Sequence, residues 1–244
     1  MQRMAIPQAR FERAGEGTLR NDDTRVSRRK PDVDVEALAL RAQRSVYLRI
    51  VKPAVERTVV AILGVLLLPF MAVIAALLRR KLGRRILITQ ERVGLHGQPF
   101  RMYKFRTMLP DRRASRRPVG VERRLCHKSA DDPRHTSIGR TLRGTGIDEL
   151  PQLWNIVKGE MSLVGPRPEL VEIVEQYEPW QHVRHMVRPG LTGLWQVSGR
   201  QNGDMMHLHT ELDLEFLKTV SFSSDVGILW KTLHNTISGR LRGA

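Results

Sequence analysis

The sequence predicts an α+β fold, mainly helical, in which a membrane segment of helix, break and helix precedes a compact domain with short β-strands. Three observations carry that prediction. Val59–Leu78 is a run of 20 uncharged residues interrupted by Pro69. Beyond it, short stretches alternate roughly with period two beside glycines. Later runs place apolar residues at helical spacing.

A chain of 244 residues can bury a core and holds one or two domains. With 41 Lys and Arg against 25 Asp and Glu the formal charge is +16, so anionic partners are expected: phosphates, nucleic acid or an acidic membrane surface. Cys126 is the single cysteine, which excludes an intramolecular disulfide and fits a reducing compartment.

Residues 1–31 are rich in charge, poor in aromatics and without the apolar core of a secretion signal. They are expected to form a disordered basic extension. Residues 32–58 follow as an amphipathic, juxtamembrane helix. The membrane segment, 59–78, would be about 30 Å long as a straight helix, enough to cross a bilayer core. Pro69 removes a backbone hydrogen bond near its middle. Arg41, Arg44, Arg49, Lys52 and Arg57 precede it, and Arg79, Arg80, Lys81, Arg84 and Arg85 follow. Basic residues at both ends draw both toward the cytoplasm. A re-entrant helix broken at Pro69 satisfies both constraints; a bitopic helix with a tolerated proline satisfies hydropathy alone.

Residues 79–238 make the compact domain. Ile86–Thr89 and Phe100–Thr107 read as strands around a turn at Gly94 and Gly97, with Lys104 and Arg106 on one face. Residues 111–128 form a basic loop. In "GIDELPQLWN", Leu150, Leu153, Trp154 and Val157 define one apolar helical face, with Pro151 in a first turn. Asp148 and Glu149 just before it have two readings: they cap and favour the helix, or they converge with backbone donors on a phosphate. Gly159 reads as a helix stop and Ser162–Val164 as a short extended segment. Arg167, between Pro166 and Pro168, is a guanidinium on a stiff loop, suited to a phosphate or a planar base. Leu194–Val197 alternates like a strand and leads to Arg200. A helix from about Met205 to Thr219 places Leu212 and Phe216 on one face, with Asp213 and Glu215 off it. A last helix, capped near Ser223 or Ser224, turns Val226, Leu229, Trp230 and Leu233 inward. Cys126, His127, His207 and His209 lack the paired spacing of a zinc site, and no Gly-rich nucleotide loop or nucleophile-elbow motif occurs.

Taken together, "ITQERVG", "MYKFRTM", "DELPQLWNIVKGEMSLVGPRP", "VRPGLTGLWQVSGR" and "ELDLEFLKTV" closely resemble the bacterial sugar transferase family. These are the monotopic polyprenyl-phosphate phosphoglycosyl transferases that begin capsule, exopolysaccharide, O-antigen and glycoprotein glycan assembly. The resemblance runs in order from about Lys52 to Leu233, and residues 1–50 lie outside it. It describes a compact member without the multi-spanning N-terminal part of larger ones.

The resemblance implies a catalytic domain on the cytoplasmic face of a bacterial inner membrane. The implied reaction moves sugar-1-phosphate from a UDP-sugar to undecaprenyl phosphate and releases UMP. By the same similarity Asp148 is the nucleophile of a ping-pong reaction through an aspartyl phosphosugar, and Glu149 helps hold Mg²⁺. Lys104 and Arg143 match phosphate or dyad neighbours, Arg167 the nucleotide contact, and Asp225 a looser active-site position. Arg200 is taken as a further phosphate contact. Two departures stand out: Leu68-Pro69 replaces the Ser-Pro often found at the membrane break, and Glu56 replaces an Asp.

The rival from another class is a membrane-attached basic module that binds nucleic acid or lipid through residues 111–128. Nucleic-acid surfaces interleave aromatic residues for stacking, and that run has none. Nucleic acid is therefore not expected, whereas a bilayer with anionic headgroups is. A homodimer is compatible with the sequence, and no motif identifies the sugar.

Overall fold

The computed structural model describes residues 32–109, 134, 136–198 and 210–238. The expectations for residues 1–31, the basic loop 111–128, Cys126, His127, Arg200, His207 and His209 fall outside them.

Helix α1, Val35–Arg44, starts on Asp34, whose carboxylate accepts from the Ala37 N–H at 2.9 Å. A π-helical turn, Tyr47–Val51, leads directly into α2, Lys52–Leu82, with Pro53 in its first turn. The end of the juxtamembrane segment, from Tyr47 on, is therefore continuous with the apolar segment, while α1 is a separate helix. Helical conformation does not stop at Pro69. Proline's fixed φ is itself helical, so it costs the helix a hydrogen bond without ending it.

The way α2 is seated matters more than its continuity. One stripe, from Glu56 and Val60 through Leu67 to Ile74 and Leu78, turns toward the domain along about 33 Å of helix. Val60 packs with Phe100, Met102, Leu153 and Ile156, while Ile74 and Leu78 pack with Phe105 and Leu142. Ile62, Leu63, Val65, Leu66, Leu68 and Val73 are exposed.

Strands β1 (Leu87–Val93) and β2 (Pro99–Phe105) form an antiparallel hairpin in which Val93 faces Pro99 and Ile88 faces Lys104. Both strands are shifted from the predicted ranges, because the turn is confined to Gly94–Gln98. Helix α3 (Ser137–Gly144) follows, capped by the Thr136 hydroxyl on the Gly139 N–H at 3.0 Å. A 3₁₀ helix, Ile147–Gln152, and α4, Leu153–Lys158, carry the acidic pair and the segment behind it.

Three expectations are corrected here. Asp148 caps nothing: Gly146, at φ 71°, precedes the 3₁₀ turn, and α4 begins only at Leu153, beyond Pro151. Trp154 is exposed, and the inward face of α4 is Leu153, Asn155 and Ile156. Leu194–Val197 is one helical turn, α6; the strand lies just before it, as β4 (Gly190–Thr192) parallel to β3 (Ser162–Val164). Between these strands come α5 (Val171–Val174) and a 3₁₀ helix, Pro179–Met186.

The other two corrections concern the last helices. In α7, Thr210–Thr219, Asp213 is buried beside Leu214, Phe216 and Leu217, because a buried arginine, Arg184, pairs with it. Helix α8, Phe222–Ile237, is capped by Ser221, and Asp225 and Ile228 are the residues it buries. Val226, Leu229, Trp230 and Leu233 face outward with Phe222 and Ile237. The ion pair of Asp225 with Lys52 fixes which way α8 turns.

Candidate active site

The acidic pair is assembled by the hairpin and the loop after β3. Asn155, fully buried in α4, receives the Tyr103 N–H at 3.2 Å and donates to the Arg101 carbonyl at 2.8 Å and to Glu160 at 2.7 Å. It thereby ties α4 to β2 and fixes the next β2 residue, Lys104, over the dyad. Lys104 Nζ donates to Glu149 Oε1 at 2.7 Å, and Arg167 Nη2 approaches the same oxygen at 3.5 Å. Arg143 stands in the last turn of α3, just ahead of the dyad's turn.

The two carboxyls are driven apart electrostatically. Asp148 is buried, and desolvation together with the Glu149 charge pushes its carboxyl up to about 6, against the pull of Lys104 and Arg167. Burial acts upward on Glu149 too, but Lys104 and Arg167 outweigh it and hold the group near 2. Glu149 is thus a fixed anion. Among the described residues Asp148 forms no ion pair, so its carboxylate is not already spent on a cation. In metal-free protein Asp148 should titrate near pH 6, read as the infrared carboxyl difference between wild type and Asp148→Asn. Lys104→Met should move that midpoint upward, since Lys104 stabilises the charged form. A wild-type midpoint near 4 would show an ordinarily solvated carboxyl instead.

Asp225 lies in a different cluster. Its Oδ2 takes Lys52 Nζ at 2.5 Å and the Tyr47 hydroxyl at 2.6 Å; Lys52 also pairs with Glu56 at 2.9 Å, and Ser162 donates to Glu56 at 2.5 Å. Burial raises the Asp225 carboxyl against the pull of Lys52 and Tyr47. These contacts fasten α8 and β3 to the start of α2. A cavity of about 1250 Å³ at the turn end of the hairpin, lined by Val93, Pro99, Tyr177, His182 and Val187 among others, includes no residue of the dyad.

Among the described residues no three His, Cys, Asp or Glu side chains converge on a metal position. A Zn²⁺ or Ca²⁺ cage does not fit that donor set. Mg²⁺ does, because it takes one or two carboxylates and completes its shell with water and substrate phosphates. Both cations on Glu149 address Oε1, and the adjacent Asp148 adds hard oxygen donors.

Sequence reading missed Asn155, Arg92, Arg184 and the Lys52 cluster. For Asn155 a signal existed: it is a polar residue between Leu153 and Ile156 in a short helix.

The family model described as bacterial sugar transferase matches residues 47–239. The galactosyl transferase CpsE of Streptococcus agalactiae is 41% identical over 182 residues, covering 73% of this chain and 40% of that protein. The exopolysaccharide production protein ExoY of Sinorhizobium fredii is 38% identical over 182 residues, 71% of this chain and 80% of its own. The undecaprenyl-phosphate galactose phosphotransferase of Salmonella typhimurium is 41% identical over 149 residues, 58% of this chain and 31% of that protein. The match thus spans well under half of two of these relatives and most of the third.

Proposed function

Because the chain belongs to the bacterial sugar transferase family, we propose that it moves sugar-1-phosphate from a UDP-sugar to undecaprenyl phosphate, releasing UMP. The observation that carries this reading is the division within the dyad: Glu149 held anionic by Lys104 and Arg167, beside a buried Asp148 that forms no ion pair among the described residues.

Asp148, once ionised, attacks the sugar-bearing phosphorus of the donor. The new bond is carboxylate oxygen to phosphorus; the bond that breaks joins that phosphorus to the bridging oxygen, which leaves with UMP. A phosphate oxygen of undecaprenyl phosphate then attacks the same phosphorus and returns Asp148 as a carboxylate. Lys104 and Arg167 reduce the repulsion between anionic nucleophile and anionic donor, and Arg167, on its proline-flanked loop, engages the nucleotide diphosphate. When bound, Mg²⁺ held by Glu149 supplies charge neutralisation on the donor phosphate oxygens. The test is UMP release with undecaprenyl phosphate and Mg²⁺ across a panel of UDP-sugars. Release with one or more supports the reading, and none with any sugar overturns it.

The same reading places α2 in one leaflet, with the domain on the cytoplasmic face. Its support is that Val60 near one end and Leu78 near the other both pack on the one domain. A helix crossing the bilayer would carry one of those contacts to the far side. With Cys126 replaced by Ser, cysteines at the exposed positions Arg49 and Arg84 should both label from the cytoplasmic side only. Labelling from opposite sides would establish a crossing helix.

A further inference from the structure

The Arg167 loop is held in an unusual way. Pro166 and Pro168 have no N–H to donate, so around Arg167 the backbone can be fixed mainly through its carbonyls. Four consecutive carbonyls are taken, each by a different donor. Pro166 accepts from the Gly190 N–H at 2.8 Å, and Arg167 from Arg184 Nη2 at 2.7 Å. Pro168 accepts from Arg92 Nη1 at 3.2 Å, and Glu169 from the Val93 N–H at 3.0 Å.

Arg184 is the donor with the most elaborate support. Its residue is 2% exposed, and each guanidinium nitrogen has its own partner. Nε pairs with Asp213 Oδ2 at 3.1 Å, Nη1 donates to the Tyr177 hydroxyl, and Nη2 takes the Arg167 carbonyl. The planar fork thus joins α7, the Tyr177 turn and the 165–169 loop in one plane. A buried charge is costly unless fully paired, and here the pairing ends on the main chain of the residue whose side chain reaches Glu149.

We propose that Arg184, backed by Asp213, is a positioning residue that sets the pose of Arg167 toward the donor diphosphate by holding the Arg167 carbonyl. It rests on the use of Arg167 proposed above. Arg184 touches neither Asp148 nor Glu149; it acts through the loop. Displacing a binding guanidinium by about 1 Å costs on the order of a hundredfold in efficiency.

Arg184→Met alone would leave Asp213 buried without a partner and could unfold the chain. The test therefore uses Arg184→Met with Asp213→Asn, which removes both charges. Full-length protein in detergent is compared in two ways. In a kinetic cycle with Arg167→Gln, the neutralised pair should raise KM for the UDP-sugar about tenfold or more with a smaller loss in kcat. In the Arg167→Gln background it should add little further loss, since both changes remove one interaction. Independent, multiplying losses would overturn the proposal. Amide exchange of the peptide covering 162–170 is the second readout, and it needs no turnover. Faster exchange of that peptide, with the α3 peptide 137–144 unchanged, supports the anchoring role. Unchanged exchange, or loosening throughout the domain, overturns it. If wild type turns over no UDP-sugar, the proposed function fails while the exchange result still decides whether Arg184 holds the loop.

Discussion

Asp148→Asn should still bind a UDP-sugar and release no measurable UMP, a loss of at least roughly a thousandfold. The amide keeps the shape of the side chain but offers no anionic oxygen, and Glu149 cannot replace it. Lys104 and Arg167 hold Glu149 as an anion near 2 and occupy one of its oxygens. A group so strongly stabilised by cations is a poor nucleophile, whereas Asp148, raised to about 6 by burial, is ionised at neutral pH and more basic. The direct measurement is mass spectrometry of wild type incubated with UDP-sugar and Mg²⁺ without lipid. A phosphosugar adduct should appear on the peptide holding Asp148 and be missing from Asp148→Asn. Substantial turnover by that variant, or kinetics that need both substrates bound together, would point to direct transfer instead.

The second large effect is on folding. Gly190→Ala should destabilise the protein by about 3 kcal/mol, lowering the melting midpoint in detergent by on the order of 10 °C. A Cβ on Gly190 would sit within 3.0 Å of the Gly165 nitrogen and oxygen and of the Thr192 carbonyl, all backbone atoms with no rotamer to yield. Those atoms belong to the contact that seats the Arg167 loop: Gly165 N–H donates to the Thr192 carbonyl at 2.9 Å and Gly190 N–H to the Pro166 carbonyl at 2.8 Å. Gly227→Ala is the control, because a Cβ there meets nothing within 4 Å and alanine favours a helix interior. A wild-type midpoint for Gly190→Ala would mean that the two loops are further apart than described.

The sequence by itself determined what depends on neighbours along the chain. The apolar run at 59–78, the hairpin around Gly94 and Gly97, the stop at Gly159 with its φ of 80° and the adjacency of Asp148 and Glu149 are all local signals. Its family strings also singled out Lys104 and Arg167, which the fold brings to one oxygen of Glu149 from 45 and 18 residues away. Tertiary structure alone decided which polar groups meet. Asp213 is turned inward by Arg184, Asp225 is drawn to Lys52 rather than to the dyad's cations, and Asn155 becomes the tie behind Lys104. It also decided the direction of α8. Periodicity marks Val226, Leu229, Trp230 and Leu233 as a face that avoids water, but hydrophobicity has no direction. Whether such a face meets the protein's core or turns outward depends on what the opposite face holds, and here that is the buried pair of Asp225 with Lys52.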